Sequence, residues 1–127
     1  MTRGLYRKIM PEFKPDIVIG VVRGGVHPAM RLAKHFNVRN MHFLTVRKVA
    51  GGGRRVVTKI TEDLRGKKIL LVEDMLESGK SLIAALRYLK RKKAIVKTVC
   101  YYLRPDSLVR PDYYIHEHEH KVTFPWE

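Results

Sequence analysis

The chain has 127 residues, 45% of them hydrophobic, enough for one domain with a continuous core and no need of disulfide staples. Its single cysteine excludes an internal disulfide, no apolar run approaches the roughly 20 residues of a membrane span, and residues 1–10 contain no signal-peptide core; these features predict a cytoplasmic protein with no membrane partner. Lysine and arginine total 26 against 12 acidic residues, and the resulting net charge of +14 favours an anionic partner without choosing among nucleic acid, membrane and phosphorylated metabolite.

In chain order, the segment before Pro15 reads as a short first helix, and Ile17-Val18-Ile19-Gly20-Val21-Val22 as a central parallel strand covered on both faces. After Arg23-Gly24-Gly25, Pro28 suits the first turn of a helix in which Ala29, Leu32, Ala33 and Phe36 recur at helical spacing. Residues 41–46 predict a second strand, and residues 47–59 a basic loop around Gly51-Gly52-Gly53. Residues 68–72 then predict a third strand. A second helix follows, with Leu82, Ile83, Leu86 and Leu89 on one face. It ends in Lys90, Arg91, Lys92 and Lys93, cations that complement its dipole. Residues 95–103 form a fourth strand. Beyond Pro105 and Pro111, Tyr113-Tyr114-Ile115 and Val122-Thr123-Phe124 are expected to pair as a small terminal appendage. Alternating strands and helices imply an open parallel α/β sheet with ligands beyond the carboxyl ends of its strands, where both glycine turns fall. No linker or repeat divides the chain, so residues 1–127 are expected to be one domain.

The strongest chemical signal is Glu73-Asp74-Met75-Leu76-Glu77-Ser78-Gly79-Lys80-Ser81. Backbone amides at a helix N-terminus, with the hydroxyls of Ser78 and Ser81, suit a phosphate monoester, while Glu73 and Asp74 suit hydroxyls or magnesium. A nucleotide P-loop is excluded, because the glycine it needs five positions before Gly79 is Asp74.

This stretch closely resembles the phosphoribosyl pyrophosphate signature of type I phosphoribosyltransferases, with Glu77 and Ser78 where Asp and Thr are commoner. Two further matches extend the resemblance over nearly the whole chain. Arg23-Gly24-Gly25 resembles the family's pyrophosphate loop, and Phe124-Pro125-Trp126-Glu127 is similar to the ending of xanthine-guanine and archaeal-type purine members. The resemblance implies the fold of that family, an open parallel sheet flanked by helices with a small C-terminal hood.

It also implies roles for individual residues. Glu73 and Asp74 hold the ribose hydroxyls, with Asp74 at magnesium. Ser78, Gly79, Lys80 and Ser81 cradle the 5-phosphate, and Arg23, Gly24 and Gly25 bind pyrophosphate, the glycines through backbone amides. Glu77 lies beside the base and exchanges a proton with its ring nitrogen. Residues 47–59 match the mobile lid. Arg104 stands where purine members address a 6-oxo group, and Lys121 and Val122 stand where xanthine-guanine members place an aromatic on the base.

The implied partners are phosphoribosyl pyrophosphate, a purine base (guanine, xanthine or hypoxanthine) and a second copy of the chain, in purine salvage. A different reading is a regulator of the same fold that senses phosphoribosyl pyrophosphate and binds nucleic acid through its basic surface; the acids Glu73, Asp74 and Glu77 favour the enzyme. His116, His118 and His120 alternate along one strand face, but alternation fixes no coordination geometry and a polar turn accounts for them. Cys100, between Val99 and Tyr101, reads as a buried, inert thiol.

Overall fold

Strand β1 (Ile17–Val22) divides two cores, and this division explains why the run is apolar throughout. Ile17, Ile19 and Val21 face one side and Val18 faces the other, in a computed structural model that describes residues 1–117. Strand β4 (Lys68–Leu76) divides in the same way, with Ile69 and Leu71 on the side of Ile19 and with Leu70 and Val72 on the side of Val18. Each of these side chains is at most 1% exposed, and full burial of one contributes roughly 1.5–3 kcal/mol.

Helices cover both faces. On one side α1 (Thr2–Ile9) buries Leu5 and Ile9, and α2 (Val26–Phe36) buries Ala29, Leu32 and Ala33. The Thr2 hydroxyl also bonds the buried Tyr101 hydroxyl. On the other side α3 (Lys80–Arg91) buries Leu82, Ala85 and Leu89. The sheet is completed by β2 (Met41–Lys48), β3 (Arg54–Val56), β5 (Ile95–Leu103) and β6 (Tyr113–Glu117), in the order β3-β2-β1-β4-β5-β6. All neighbours are parallel except β2 and β3. From β1 the chain crosses through α2 to β2 on one side, and β4 then lies on the other. Strand order therefore reverses between β1 and β4, which opens a crevice at their carboxyl ends.

Three expectations are corrected. The third predicted strand does not stop at Val72 but runs to Leu76, because β5 pairs with it as far as Leu103, so Glu73 and Asp74 belong to the strand itself. The basic loop is a β-hairpin, in which Val46 pairs with Val56, Arg47 with Arg55 and Lys48 with Arg54. Tyr113-Tyr114-Ile115 does not belong to a separate appendage. It joins the main sheet as β6, where Val99 registers with Tyr113 and Cys100 with Tyr114. Its proposed partner Val122-Thr123-Phe124 lies outside the described residues, as does the ending Phe124-Pro125-Trp126-Glu127. No helix among the described residues is long and apolar enough to cross a membrane.

Candidate active site

The crevice is a cleft of about 860 Å³ at the carboxyl ends of β1 and β4. Its floor is acidic. Asp74 is 7% exposed, and its Oδ1 accepts a 2.7 Å hydrogen bond from the Met75 N–H. Burial pushes the Glu73 carboxyl up to about 8, and the charges of Asp74 and Glu77 push in the same direction. These carboxylates offer only oxygen donors, the set a hard divalent cation takes, and a cation beside them would offset both the burial and the mutual repulsion. Among the described residues no cluster of three or more His, Cys, Asp or Glu is placed to enclose a metal by itself. A cation here would therefore complete its shell with substrate or water oxygens.

The turn from β1 to α2 faces this floor, and the Val22–Arg23 peptide within it is cis. Gly24 is pressed against Asp74: a Cβ there would stand 2.2 Å from Asp74 Oδ1. Arg23 and Gly24 line the cleft, but Gly25 does not. The Gly25 N–H already donates to the Val21 carbonyl at 2.8 Å, and a Cβ would meet the Val72 carbonyl oxygen at 2.3 Å. Gly25 is a glycine because the chain must recross β1 and β4 at backbone distance. The Gly25 amide, expected to meet pyrophosphate, donates within the fold to Val21 O.

Opposite stands the start of α3, where Ser78, Gly79, Lys80 and Ser81 line the cleft. Gly79 has φ +84°, open to a glycine, and the first turn of α3 contains no acidic residue to repel an anion. Ser78 Oγ accepts from the Lys80 N–H at 3.3 Å.

The roof comes from the β2–β3 hairpin. Directly paired strand residues point to one face, so Lys48 and Arg54 continue the face on which Val46 and Val56 pack toward the α3 side. Both line the cleft. Arg54 Nη1 donates to the Gly52 and Gly53 carbonyls at 2.9 and 3.1 Å, and Lys80 Nζ reaches Gly52 O at 3.4 Å. The sequence reading located the loop but not these two residues. Strand alternation running out from Val46 was the signal that could have found them.

Other predicted residues lie elsewhere. Arg104 is not among the cleft-lining residues; its Nε stands 3.3 Å from Asp106 Oδ1, and its backbone N–H donates to Leu76 O at 2.9 Å. Lys121 and Val122 lie outside the described residues, as do His118 and His120. His116 lies on β6, with its ring 5.4 Å from that of Tyr102. Cys100 is fully buried, and burial, with the Glu73 charge behind it, pushes its thiol up to about 12, so it is not a nucleophile.

A mostly parallel sheet in which a buried acidic strand end faces a helix N-terminus across a glycine turn defines an open α/β class with its cleft at the carboxyl ends of the strands. Within that class the chain belongs to the phosphoribosyl transferase domain family, whose model matches residues 2–127. It is 29% identical over 111 residues to the hypoxanthine-guanine phosphoribosyltransferase of Lactococcus lactis, covering 80% of this chain and 61% of that protein. It is 24% identical over 132 residues to the xanthine-guanine phosphoribosyltransferase of Idiomarina loihiensis, covering 99% of this chain and 80% of that protein. Among solved structures, a purine phosphoribosyltransferase from Pyrococcus horikoshii superposes with a TM-score of 0.91 at 32% identity, over 99% of this chain and 86% of that one.

Proposed function

We propose that the chain is a purine phosphoribosyltransferase, which transfers ribose 5-phosphate from phosphoribosyl pyrophosphate to a 6-oxopurine and releases pyrophosphate. The observation that carries this reading is the convergence of Glu73 and Asp74, the Gly24 turn and the α3 N-terminus on one cleft. Family membership and relatives named for hypoxanthine-guanine, xanthine-guanine and purine transfer support it. The regulatory alternative finds no support among those relatives.

In this reading the amides and hydroxyls of Ser78, Gly79, Lys80 and Ser81 hold the 5-phosphate, and Glu73 and Asp74 accept hydrogen bonds from the ribose hydroxyls. Arg23 and the Gly24 backbone hold pyrophosphate from below, while Lys48 and Arg54 close over it and exclude water. Magnesium, when bound at Asp74, supplies charge neutralisation of the pyrophosphate leaving group. The anomeric carbon gains positive charge as its bond to pyrophosphate breaks and the bond to the base nitrogen forms, and the fixed Asp74 carboxylate stabilises that charge without reorganising. Glu77 accepts the proton displaced from the base. Arg104 donates to the 6-oxo oxygen once the base draws it from Asp106. Lys121 and Val122 are assigned to the base as well. Residues 1–127 act as one domain, in a homodimer, in the cytoplasm.

The test is pyrophosphate release from phosphoribosyl pyrophosphate and magnesium with guanine, hypoxanthine, xanthine or adenine. Turnover with a 6-oxopurine and little with adenine supports the proposal. Absence of turnover with every base, together with salt-sensitive binding of nucleic acid, would replace it with the regulator.

A further inference from the structure

Within the cradle turn the Lys80 N–H donates to Ser78 Oγ at 3.3 Å. Gly79, the N-cap of α3, makes no side-chain capping bond, while Glu77 and Ser78 are exposed. What grips the turn comes from the segment between β5 and β6. The Arg104 N–H donates to Leu76 O at 2.9 Å, and the Leu108 N–H donates to Ser78 O at 2.8 Å. Between these two bonds the segment is folded on itself: the Ser107 N–H donates to Arg104 O at 3.1 Å, and Ser107 Oγ donates to Val109 O at 2.9 Å. Gly79 is seated directly on it, since a Cβ there would meet Ser107 Oγ at 2.7 Å and Val109 Cγ1 at 2.8 Å. The Leu108 side chain is 68% exposed, so its backbone N–H, not side-chain burial, fixes this residue.

We infer that residues 104–109 are a positioning brace for the phosphate cradle, which sets affinity for the 5-phosphate of the substrate without touching it. The inference rests on the cradle assignment made under the proposed function. The brace bonds the carbonyl side of the turn and leaves its amide side to the ligand.

The experiment is calorimetric titration of phosphoribosyl pyrophosphate with magnesium, alongside steady-state KM values for both substrates. Leu108→Pro deletes the N–H that holds Ser78 and is expected to weaken phosphoribosyl pyrophosphate binding about tenfold, the effect of losing one well-made hydrogen bond, with the KM for the base unmoved. Leu108→Ala keeps the N–H and restores the affinity. Should Leu108→Pro fail to fold, Ser107→Ala decides, with an expected loss of roughly threefold from loosening the turn against Gly79. Unchanged affinity in the folded variant, or an equal rise in both KM values, overturns the brace. If the parent protein binds no phosphoribosyl pyrophosphate, the cradle assignment falls and the brace with it; if the parent binds and the variants match it, the brace alone falls.

Discussion

The two walls of the cleft are built on opposite principles. The carboxyl end of β4 lies inside the fold: Asp74 is buried and pressed onto Gly24, and β5 pairs with the strand as far as Leu76. The hairpin tip from Val49 to Gly53 is exposed, and what ties it down is a small set of bonds such as those from Arg54 and Lys80 to glycine carbonyls. It also pairs like charges directly across strands, Arg47 with Arg55 and Lys48 with Arg54, an arrangement that costs stability until an anion sits between them. The acidic wall is therefore set within the fold, and in the proposed function the basic wall is the one that responds to ligand. The first is suited to stabilising charge that develops during the reaction, the second to admitting and enclosing the substrate.

This contrast is most exposed to refutation at Asp74. Asp74→Asn preserves size and is expected to lower kcat by about 10³-fold or more, the scale of removing a preorganised electrostatic group, while circular dichroism remains unchanged. Near-normal turnover at saturating magnesium would show that the acidic wall is only structural. At the hairpin, Lys48→Ala with Arg54→Ala is expected to raise the KM for phosphoribosyl pyrophosphate roughly tenfold, with a smaller change in kcat, and to make binding less salt-sensitive. Amide exchange sharpens the same point: hairpin amides should exchange far faster than those of β4 and slow on adding phosphoribosyl pyrophosphate. Equal rates in both regions would erase the distinction.

The last expected effect is on stability and concerns Glu73. Its carboxyl titrates near 8 in the fold, against 4.5 as its ordinary value. Between those values the folded chain keeps a proton that the unfolded chain has lost, so this group makes stability fall as pH rises from about 4.5 to about 8. Glu73→Gln removes that slope. The Tm of the variant relative to the parent should be higher at pH 9 than at pH 5, by roughly ten degrees or more for a shift of this size. A difference that does not vary with pH would mean that Glu73 is not held protonated.

What the sequence revealed follows the same division. β1 and β5 were legible because their β-branched runs have no competing reading, and α2 because Ala29, Leu32, Ala33 and Phe36 keep helical spacing. β4 was cut short at Val72 because two acids look like the end of a strand, and only pairing with β5 carries the strand past them. The hairpin was missed because Arg54-Arg55-Val56 has no strand signature of its own; it is a strand because Val46 has a partner in Val56. β6 was mistaken for part of an appendage because the proline-rich segment before it suggested a departure from the sheet, whereas residues 104–109 double back against the cradle. The motif residues Glu73, Asp74 and Ser78-Gly79-Lys80-Ser81 were legible as a group because local sequence alone brings them to one turn. The packing of Gly25 was not legible, because the Val72 carbonyl it meets comes from a strand that spacing in one motif cannot show.

The contact between Gly24 and Asp74 constrains how such a protein could be redesigned. The volume that a side chain at position 24 would fill is already occupied by the carboxylate of position 74. Two loci far apart in the chain thus behave as a single site, and neither can be enlarged unless the other is trimmed. A library that randomises either position alone would explore almost nothing but losses. Active solutions would be reached only by varying the turn at position 24 and the acidic strand end together.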